Sequence, residues 1–304
     1  MSCSAVIPVR NRSTLIVAAI ASVQQQTVPL DDIVVVDDGS TDATREAVTA
    51  LAQQDRRIRL VALSTRSGAS AARNAGIAAS RSEWVAFLDS DDQWLPRKHE
   101  LQLRALAQAP GAVASFTGIR HLGADRVQDR YAPPQVTLQE LRRLNYLGST
   151  STALVRRSAL RAIDGFDATL PSCQDWDLWI KLRRLGDFAI VCEPLVVFNH
   201  TAQARISNNK AGVLAGHAQL LARTLAEIGD PRERRVIAAY HQLRLSEIYH
   251  WDFDAPRAAV LAAMKSLALH PTRHGARLLI KTLKAGSRAL AGRLRGIERR
   301  RQTA

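Results

Sequence analysis

The first hundred residues alternate short β-branched runs with longer stretches of helical periodicity, and this alternation strongly constrains the fold. It is typical of parallel strands joined by crossover helices. The pattern predicts strands over Ser4–Val9, Asp32–Asp37, Ile58–Ala62 and Trp84–Asp89, and helices near Ser13–Gln25, Asp42–Gln54 and Ser70–Ala79. We therefore expect an α/β domain with a mostly parallel central sheet flanked by helices.

The middle of the chain is less regular. Between residues 110 and 135 the pattern is interrupted by Gly118, Gly123 and Pro133–Pro134, so no strand is predicted there. Helical stretches return over 138–187, and an apolar strand is expected over Ala189–Asn199.

The C-terminal part has a different composition. From about residue 212 it is rich in Ala, Leu and Arg, and we expect helix boundaries at Pro231, Pro256 and Pro271. We predict one domain over residues 1–210 and a helical C-terminal region over 211–304.

The net charge of +14 is concentrated in the C-terminal region. Residues 1–210 carry 25 Lys and Arg against 21 Asp and Glu, whereas residues 211–304 carry 17 against 7. A nucleic-acid binder that is basic throughout would not show this division, so an acidic partner would contact the C-terminal region. No nucleic-acid partner is expected.

A basic amphipathic helix is predicted over residues 272–301. One explanation is a terminal helix packed on the body of the protein, and the other is binding to an anionic membrane surface. The apolar positions at helical spacing are Leu279, Leu283, Leu290, Leu294 and Ile297, and basic residues on other faces are Arg277, Lys281, Lys284, Arg288 and Arg295.

The sequence predicts a location in the cytoplasm. No apolar run approaches the roughly 20 residues that a membrane-spanning helix needs. Leu15–Val23 superficially imitates a signal-peptide core, but the apolar residues 5–8 before it are better explained as a buried strand. Cys3, Cys173 and Cys192 are widely spaced and odd in number, which suits free thiols in a reducing compartment.

Acidic residues follow two of the predicted strands. Asp89, Asp91 and Asp92 end the buried run 84–88, where three close carboxylates would suit a divalent cation such as Mg²⁺ or Mn²⁺ or, equally, would cap a helix. After the second strand, Asp37 and Asp38 could accept hydrogen bonds from a nucleotide or simply form a turn. Neither a dinucleotide fingerprint nor a P-loop is found.

Four motifs together resemble the family 2 glycosyltransferases of the GT-A fold. The resemblance covers residues 4 to about 207 and depends on the order and spacing of the set. The motifs are Val6-Ile7-Pro8-Val9-Arg10-Asn11-Arg12, Val34-Val35-Val36-Asp37-Asp38-Gly39-Ser40-Thr41-Asp42, Ala72-Arg73-Asn74-Ala75-Gly76 and Phe87-Leu88-Asp89-Ser90-Asp91-Asp92.

The resemblance implies roles for individual residues on the donor side. Asp38, with Asp37 nearby, corresponds to the carboxylate that contacts the nucleotide base, and Arg73 corresponds to a donor contact. Asp89 and Asp91 correspond to the two acids of the DXD motif, the first directed to ribose and sugar and the second to the metal. Further donor or phosphate contacts implied are Pro8, Arg10 and Asp92; where the family usually has an aromatic residue, Arg10 could stack its guanidinium on the base.

A later segment resembles the family's acceptor motif. It runs from Cys173 to Lys181, and Asp175 falls on the position of the catalytic base, with Trp176 and Asp177 as candidate acceptor contacts. Gln174 stands where the family often has Glu. The alternative for Asp175 is a helix cap.

Two residues after the last predicted strand are weaker candidates. Related enzymes often have a histidine and a serine facing the diphosphate there, so His200 is a candidate metal or phosphate ligand and Arg205 a candidate phosphate contact.

The resemblance implies an inverting, metal-dependent glycosyltransferase with a nucleotide-sugar donor, most simply UDP-linked, and a glycan or lipid-linked glycan acceptor. The Gln-x-x-Arg-Trp signature common in the family's processive synthases is not found, so we expect transfer of one or a few sugars, in surface polysaccharide or lipopolysaccharide assembly at the inner face of the cell membrane. Two alternatives are considered. One is a nucleotidyltransferase, but such enzymes have a Gly-rich phosphate loop near the N-terminus and residues 4–12 contain no glycine. The other is a non-catalytic binding protein whose basic tail docks on membrane or nucleic acid.

Overall fold

The computed structural model describes residues 1–123, 127–199 and 209–284. These residues form two compact units. The first unit contains residues 1–141 and 145–199, and the second contains 142–144 and 209–284. The domain boundary that we expect near residue 210 stays a prediction.

Four parallel strands form one half of the sheet, in the spatial order β3-β2-β1-β4. Strands β1, β2 and β4 are buried along their whole length, which explains why their sequences are nearly continuous apolar runs. The predicted strands and helices of this half are confirmed. The elements are β1 (Cys3–Val9), α1 (Ser13–Gln24), β2 (Asp32–Asp37), α2 (Thr44–Gln54), β3 (Ile58–Ala62), α3 (Ala69–Ala79) and β4 (Trp84–Phe87).

The sheet continues beyond β4 as β8-β6-β9-β5, with β7 paired to β6. Strands β6 and β9 run parallel, whereas β5, β7 and β8 pair antiparallel with their neighbours. The predicted strand near residue 190 is confirmed as β9. The elements are β5 (Asp92–Trp94), α4 (Lys98–Gln108), β6 (Ala112–Leu122), β7 (Val127–Arg130), α5 (Leu138–Arg143), a 3₁₀ turn (Thr150–Thr152), β8 (Leu154–Arg156), α6 (Arg157–Ala162), α7 (Gln174–Leu185) and β9 (Asp187–Asn199).

Strand β6 overturns the prediction that residues 110–135 are irregular. Gly118 lies inside β6, where the pairing with β9 shifts register. A Cβ atom at this position would lie 2.5 Å from the carbonyl oxygen of Arg130 and 3.0 Å from that of Cys192. Glycine is therefore needed because two neighbouring backbones approach closely, and in the sequence such a glycine resembles a break.

Close packing between helix α3 and the sheet depends on Gly76. A Cβ atom there would lie 2.3 Å from Cγ1 of Val6 and 3.2 Å from Cγ2 of Val36. The glycine of the third motif thus lets α3 lie directly on β1 and β2, which places the residues before it at the carboxyl ends of these strands.

The second unit is helical. It contains α8 (Lys210–Ala226), α9 (Pro231–Trp251), α10 (Pro256–Leu269) and a helical segment over residues 273–284. Prolines begin α9 and α10 as predicted, and the carboxylate of Asp230 accepts the N–H of Arg232 at the start of α9. In the described ranges, no helix is both long and apolar enough to cross a membrane.

Candidate active site

The site forms where the strand order reverses. Strand β2 lies on one side of β1 and strand β4 on the other, and ligands of open α/β sheets bind at the carboxyl ends of strands at such a point. The pairing of β1 with β4 ends at Val6 and Phe87, whereas its pairing with β2 extends to Val9 and Asp37. The residues that follow β1 and β4 therefore leave the sheet at this point.

Arg12 joins the loops after β1 and β4. Its Nη1 atom lies 2.8 Å from Oδ1 of Asp91 and donates a hydrogen bond to Oγ of Ser90 at 3.2 Å. The backbone N–H of Arg12 donates to Oγ1 of Thr44 at 2.9 Å. No role was predicted for Arg12, because nothing in the local sequence distinguishes it from Arg10 and because its acidic partner belongs to a different motif.

Asp37 organises the turn after β2. Its buried carboxylate accepts the N–H of Ser40 at 3.2 Å and pairs with Nε of Arg45 at 2.6 Å. Gly39 has a φ of +69°, and a Cβ atom there would lie 3.0 Å from the backbone nitrogen of Arg66. This turn needs glycine, since its backbone is left-handed and another loop lies against it.

Asp38 ties the same turn to the loop before α3. Its Oδ1 atom accepts the N–H of Ser67 at 2.5 Å, and its Oδ2 atom accepts the N–H of Gly68 at 3.0 Å. The side chain is largely buried. Asp38 thereby positions the loop before the Arg73 helix, and its predicted contact with the nucleotide base stays a prediction.

Arg73 forms an ion pair with Asp89. Nη2 of Arg73 lies 2.5 Å from Oδ1 of Asp89, and the guanidinium also lies 5.4 Å from the ring centre of Phe166. Burial disfavours the charged form of Asp89, but the charge and hydrogen bond of Arg73, together with a hydrogen bond from Thr150, outweigh it and lower the pKa of Asp89. Asn74 holds Phe166 in place through two backbone hydrogen bonds of 2.8 Å.

Three hydroxyl residues for which no role was predicted surround the acids after β4, namely Ser149, Thr150 and Ser151. Oγ of Ser151 donates to Asp92 at 2.6 Å and accepts the backbone N–H of Asp89 at 3.0 Å. Oγ of Ser149 lies 3.4 Å from Asp89 and 3.5 Å from Asp92. The sequence feature that could have indicated them is the run of four hydroxyl residues, 149–152, directly after Gly148. Gly148 itself has a left-handed backbone, with a φ of +75°.

The oxygen atoms gathered here fit a hard divalent cation. Mg²⁺ and Mn²⁺ prefer oxygen ligands and are held by one or two carboxylates, with water and substrate phosphates completing the shell. Asp91 and Asp89 supply such carboxylates, while Asp92 is buried against Ser151. Within the described ranges, no three His, Cys, Asp or Glu side chains form a group that could hold a metal by themselves.

Asp175 lies in the first turn of α7, near the Arg73–Asp89 pair. Burial raises its pKa and the charge of Asp89 adds to this, whereas the N–H of Trp176, the charge of Arg73 and the amide of Asn145 act in the opposite direction. The N–H of Trp176 donates to Oδ1 of Asp175 at 2.8 Å. The structure therefore brings Asp175 within electrostatic reach of Arg73 and Asp89.

Asn145 orients Asp175 and was also missed. Its amide nitrogen donates to Oδ2 of Asp175 at 3.0 Å, and its amide oxygen accepts the N–H groups of Leu147 and Gly148, both at 3.1 Å. The Asn145 side chain thus fixes both its own loop and the Asp175 carboxylate.

The backbone just before Asp175 is strained. Cys173, two residues earlier, has a φ of +61°, an unusual value for a residue other than glycine.

The remaining predicted site residues occupy varied positions, and their roles stay predictions. Pro8 is buried in β1, and Arg10 is exposed at its end. Trp176 is buried, with Nε1 donating to the carbonyl of Leu141. Asp177 is also buried and pairs with Lys181 at 2.7 Å. His200 and Arg205 lie outside the described residues.

Comparison with known proteins agrees with this geometry. The family described as "Glycosyl transferase family 2" matches residues 4–164. TuaG of Bacillus subtilis, named as a teichuronic acid biosynthesis glycosyltransferase, is 30% identical over 210 residues, which cover 68% of this chain and 82% of TuaG. The Escherichia coli protein WfgD, named UDP-Glc:alpha-D-GlcNAc-diphosphoundecaprenol beta-1,3-glucosyltransferase, is 28% identical over 209 residues, covering 68% and 80%.

Solved structures show the same fold. TarS of S. aureus in complex with UDP-GlcNAc superposes with a TM-score of 0.70 at 16% identity, covering 93% of this chain and 89% of that one. The mannosyltransferase PcManGT of Pyrobaculum calidifontis, in complex with GDP-Man and Mn²⁺, has a TM-score of 0.62 at 21% identity, covering 95% and 80%. The expected GT-A fold with C-terminal helices is confirmed.

Proposed function

Because this chain belongs to the family 2 glycosyltransferases and is an enzyme of that class, we propose that it transfers one sugar from a nucleotide-sugar donor to a hydroxyl group of a glycan or lipid-linked glycan. One observation carries this proposal. Asp175, a carboxylate with a raised pKa, lies within electrostatic reach of the Arg73–Asp89 pair. This proximity supports a site in which Asp175 acts as proton acceptor beside the residues proposed to bind the donor.

The donor side binds and neutralises the nucleoside diphosphate. In this proposal Asp38 contacts the base, Asp89, which Arg73 holds, contacts ribose and sugar, and Asp91 would hold the metal. A divalent metal bound there would stabilise the negative charge that grows on the departing diphosphate.

Asp175 acts on the acceptor. It removes the proton from the incoming hydroxyl while that oxygen attacks the anomeric carbon from the face opposite the diphosphate, so the configuration of the sugar inverts. Its raised pKa makes the carboxylate a stronger base than an exposed aspartate. The amide of Asn145 fixes its direction, and Trp176 and Asp177 remain candidates for nearby acceptor contacts.

The relatives support a UDP-sugar and a surface polysaccharide. TarS is described with UDP-GlcNAc, and the name of WfgD gives UDP-Glc as donor and a diphosphoundecaprenol-linked sugar as acceptor. TuaG is named for teichuronic acid biosynthesis. Mn²⁺ or Mg²⁺ is the proposed cofactor, supported by the oxygen ligands of the site and by the Mn²⁺ complex of PcManGT.

We propose that the second unit binds peripherally to a membrane surface. Residues 255–284 contain several Lys and Arg residues and no Asp or Glu. Ile280 and Leu283 are about half exposed and lie three residues apart in the helical segment, so they share a face. Trp251 is exposed, and Nζ of Lys281 lies 4.3 Å from its ring centre. Apolar side chains beside basic ones favour the anionic inner face of the cell membrane.

A donor panel tests the proposal. The whole protein is incubated with UDP-Glc, UDP-GlcNAc, UDP-Gal and GDP-Man, each with Mn²⁺ and an extract of lipid-linked glycans. We expect one UDP-sugar to release UDP, mass spectrometry to show acceptors heavier by one or a few sugars, and NMR to show inversion. Asp175→Asn is the matched control. Absence of turnover with every donor, or retention of configuration, would contradict the proposed function.

A further inference from the structure

The two acids of the DXD motif each have an arginine partner from a different motif. Asp89 pairs with Arg73 of the third motif, and Asp91 pairs with Arg12 of the first motif. The Arg12 and Asp91 side chains are only 18% and 11% exposed, so solvent screens their attraction less than it screens a surface pair. The carboxylate assigned to the metal therefore already has a cationic partner in this structure.

The backbone beneath Arg12 is held firmly. Its N–H donates to Thr44 at 2.9 Å, and Asn11 before it has a φ of +50° and exchanges hydrogen bonds with Ser40 and Thr41. These contacts fix the backbone of Arg12 and the residue before it. They do not involve the guanidinium, which lies at the end of a long side chain. Any change of partner at Arg12 is thus a side-chain rotation.

We propose that Arg12 is the resident counter-cation of Asp91, and that it releases Asp91 to the divalent metal only when a nucleoside diphosphate offers the guanidinium another partner. This inference rests on the proposed function, because it takes Asp91 as the metal ligand. Guanidinium forks match phosphate oxygens as well as carboxylate oxygens, so Arg12 can exchange one anion for the other.

Coupled binding follows from this exchange. A metal ion and the guanidinium compete for Oδ1 of Asp91, so the metal alone binds weakly. A diphosphate that engages Arg12 removes the competitor, and by linkage the metal strengthens diphosphate binding by the same factor. The protein therefore discriminates against free metal and favours the metal–nucleotide complex.

Mn²⁺ titration followed by electron paramagnetic resonance tests the proposal without any turnover. In the absence of nucleotide, Arg12→Gln is expected to bind Mn²⁺ about tenfold more tightly than the wild type, within the range of ordinary coupling factors. Added UDP, or GDP in a parallel series, should strengthen Mn²⁺ binding in the wild type and have less effect in the variant. Arg12→Lys, which keeps the charge, should remain close to the wild type.

Controls separate the possible outcomes. Arg104→Gln makes the same charge change at an exposed side chain of α4 and should leave Mn²⁺ binding unchanged. Asp91→Asn combined with Arg12→Gln should lose the gain. Thermal melts establish that each variant is folded. Equal or weaker Mn²⁺ binding by Arg12→Gln, or an equal gain in Arg104→Gln, overturns the role of Arg12. Failure of the donor panel alone would instead overturn the proposed glycosyl transfer.

Discussion

The two units of the protein differ in how their acidic and basic residues are distributed. In the first unit three acids at the strand ends have close cationic partners, Arg45 for Asp37, Arg73 for Asp89 and Arg12 for Asp91. In the second unit, residues 255–284 carry positive charge with no acid, and large apolar side chains are exposed between residues 251 and 283. Ion pairs between nearby acids and arginines hold the side chains of a reaction site in place, whereas an excess of basic residues in one segment favours contact with an anionic partner.

This difference assigns separate tasks to the two units. Dense hydrogen bonding around Asp89, Asp92 and Asp175 makes the first unit sensitive to single polar changes in its chemistry. Single polar substitutions in the second unit should leave turnover unchanged. Loss of its exposed apolar side chains should instead weaken binding to a membrane surface.

The largest expected effect is at Asp175. Asp175→Asn removes the proton acceptor, so kcat should fall by roughly 10²–10⁴-fold while binding of UDP stays unchanged. Nucleotide release and equilibrium binding are the two measurements. Asp187→Asn, beyond the other end of α7 and mostly exposed, is the matched control and should keep full activity. An active Asp175→Asn variant would remove Asp175 from the mechanism.

A second effect should be confined to membrane binding. Replacing Ile280 and Leu283 together by Ser should weaken sedimentation with phosphatidylglycerol vesicles by at least about tenfold, because apolar burial in the interface is lost. Turnover with a soluble acceptor should not change. The matched control replaces Val17 and Val127, exposed apolar residues of the first unit, by Ser.

Either of two results would end the membrane assignment. One is vesicle binding by the wild type that is no stronger with phosphatidylglycerol than with phosphatidylcholine. The other is an equal loss in the control variant.

A smaller effect is expected at Asn145. Its hydrogen bond lowers the pKa of Asp175, so Asn145→Ala should raise that pKa further. Since the base acts when ionised, the acid limb of the kcat profile should move to higher pH, with kcat about fivefold lower at its plateau. Asn209→Ala, which removes a helix cap in the second unit, should leave the profile in place. An unshifted acid limb in Asn145→Ala would show that Asn145 stabilises its own loop and has no effect on the pKa of Asp175.

Much of the fold and part of the site could be predicted from the sequence. Strands β1, β2 and β4 have nearly continuous apolar runs that are closely followed by Asn or Asp, so both their positions and the residues after them were recognisable. Strand β6 was not, because Gly118 is explained by neighbouring backbones from distant segments. The hydroxyl residues after Gly148 were missed for a similar reason, since their partners Asp89 and Asp92 lie in another motif.

The sequence by itself determined the order of the elements, the four motifs and the acidic residue types, because these follow from local periodicity and from the side chains at strand ends. Only the tertiary structure decided the pairs Arg12–Asp91, Arg73–Asp89 and Asn145–Asp175. Each pair joins two segments that lie far apart in the sequence and that the fold brings together. Electrostatic and hydrogen-bond energies depend on separations of a few ångströms, and no local sequence pattern specifies such a distance.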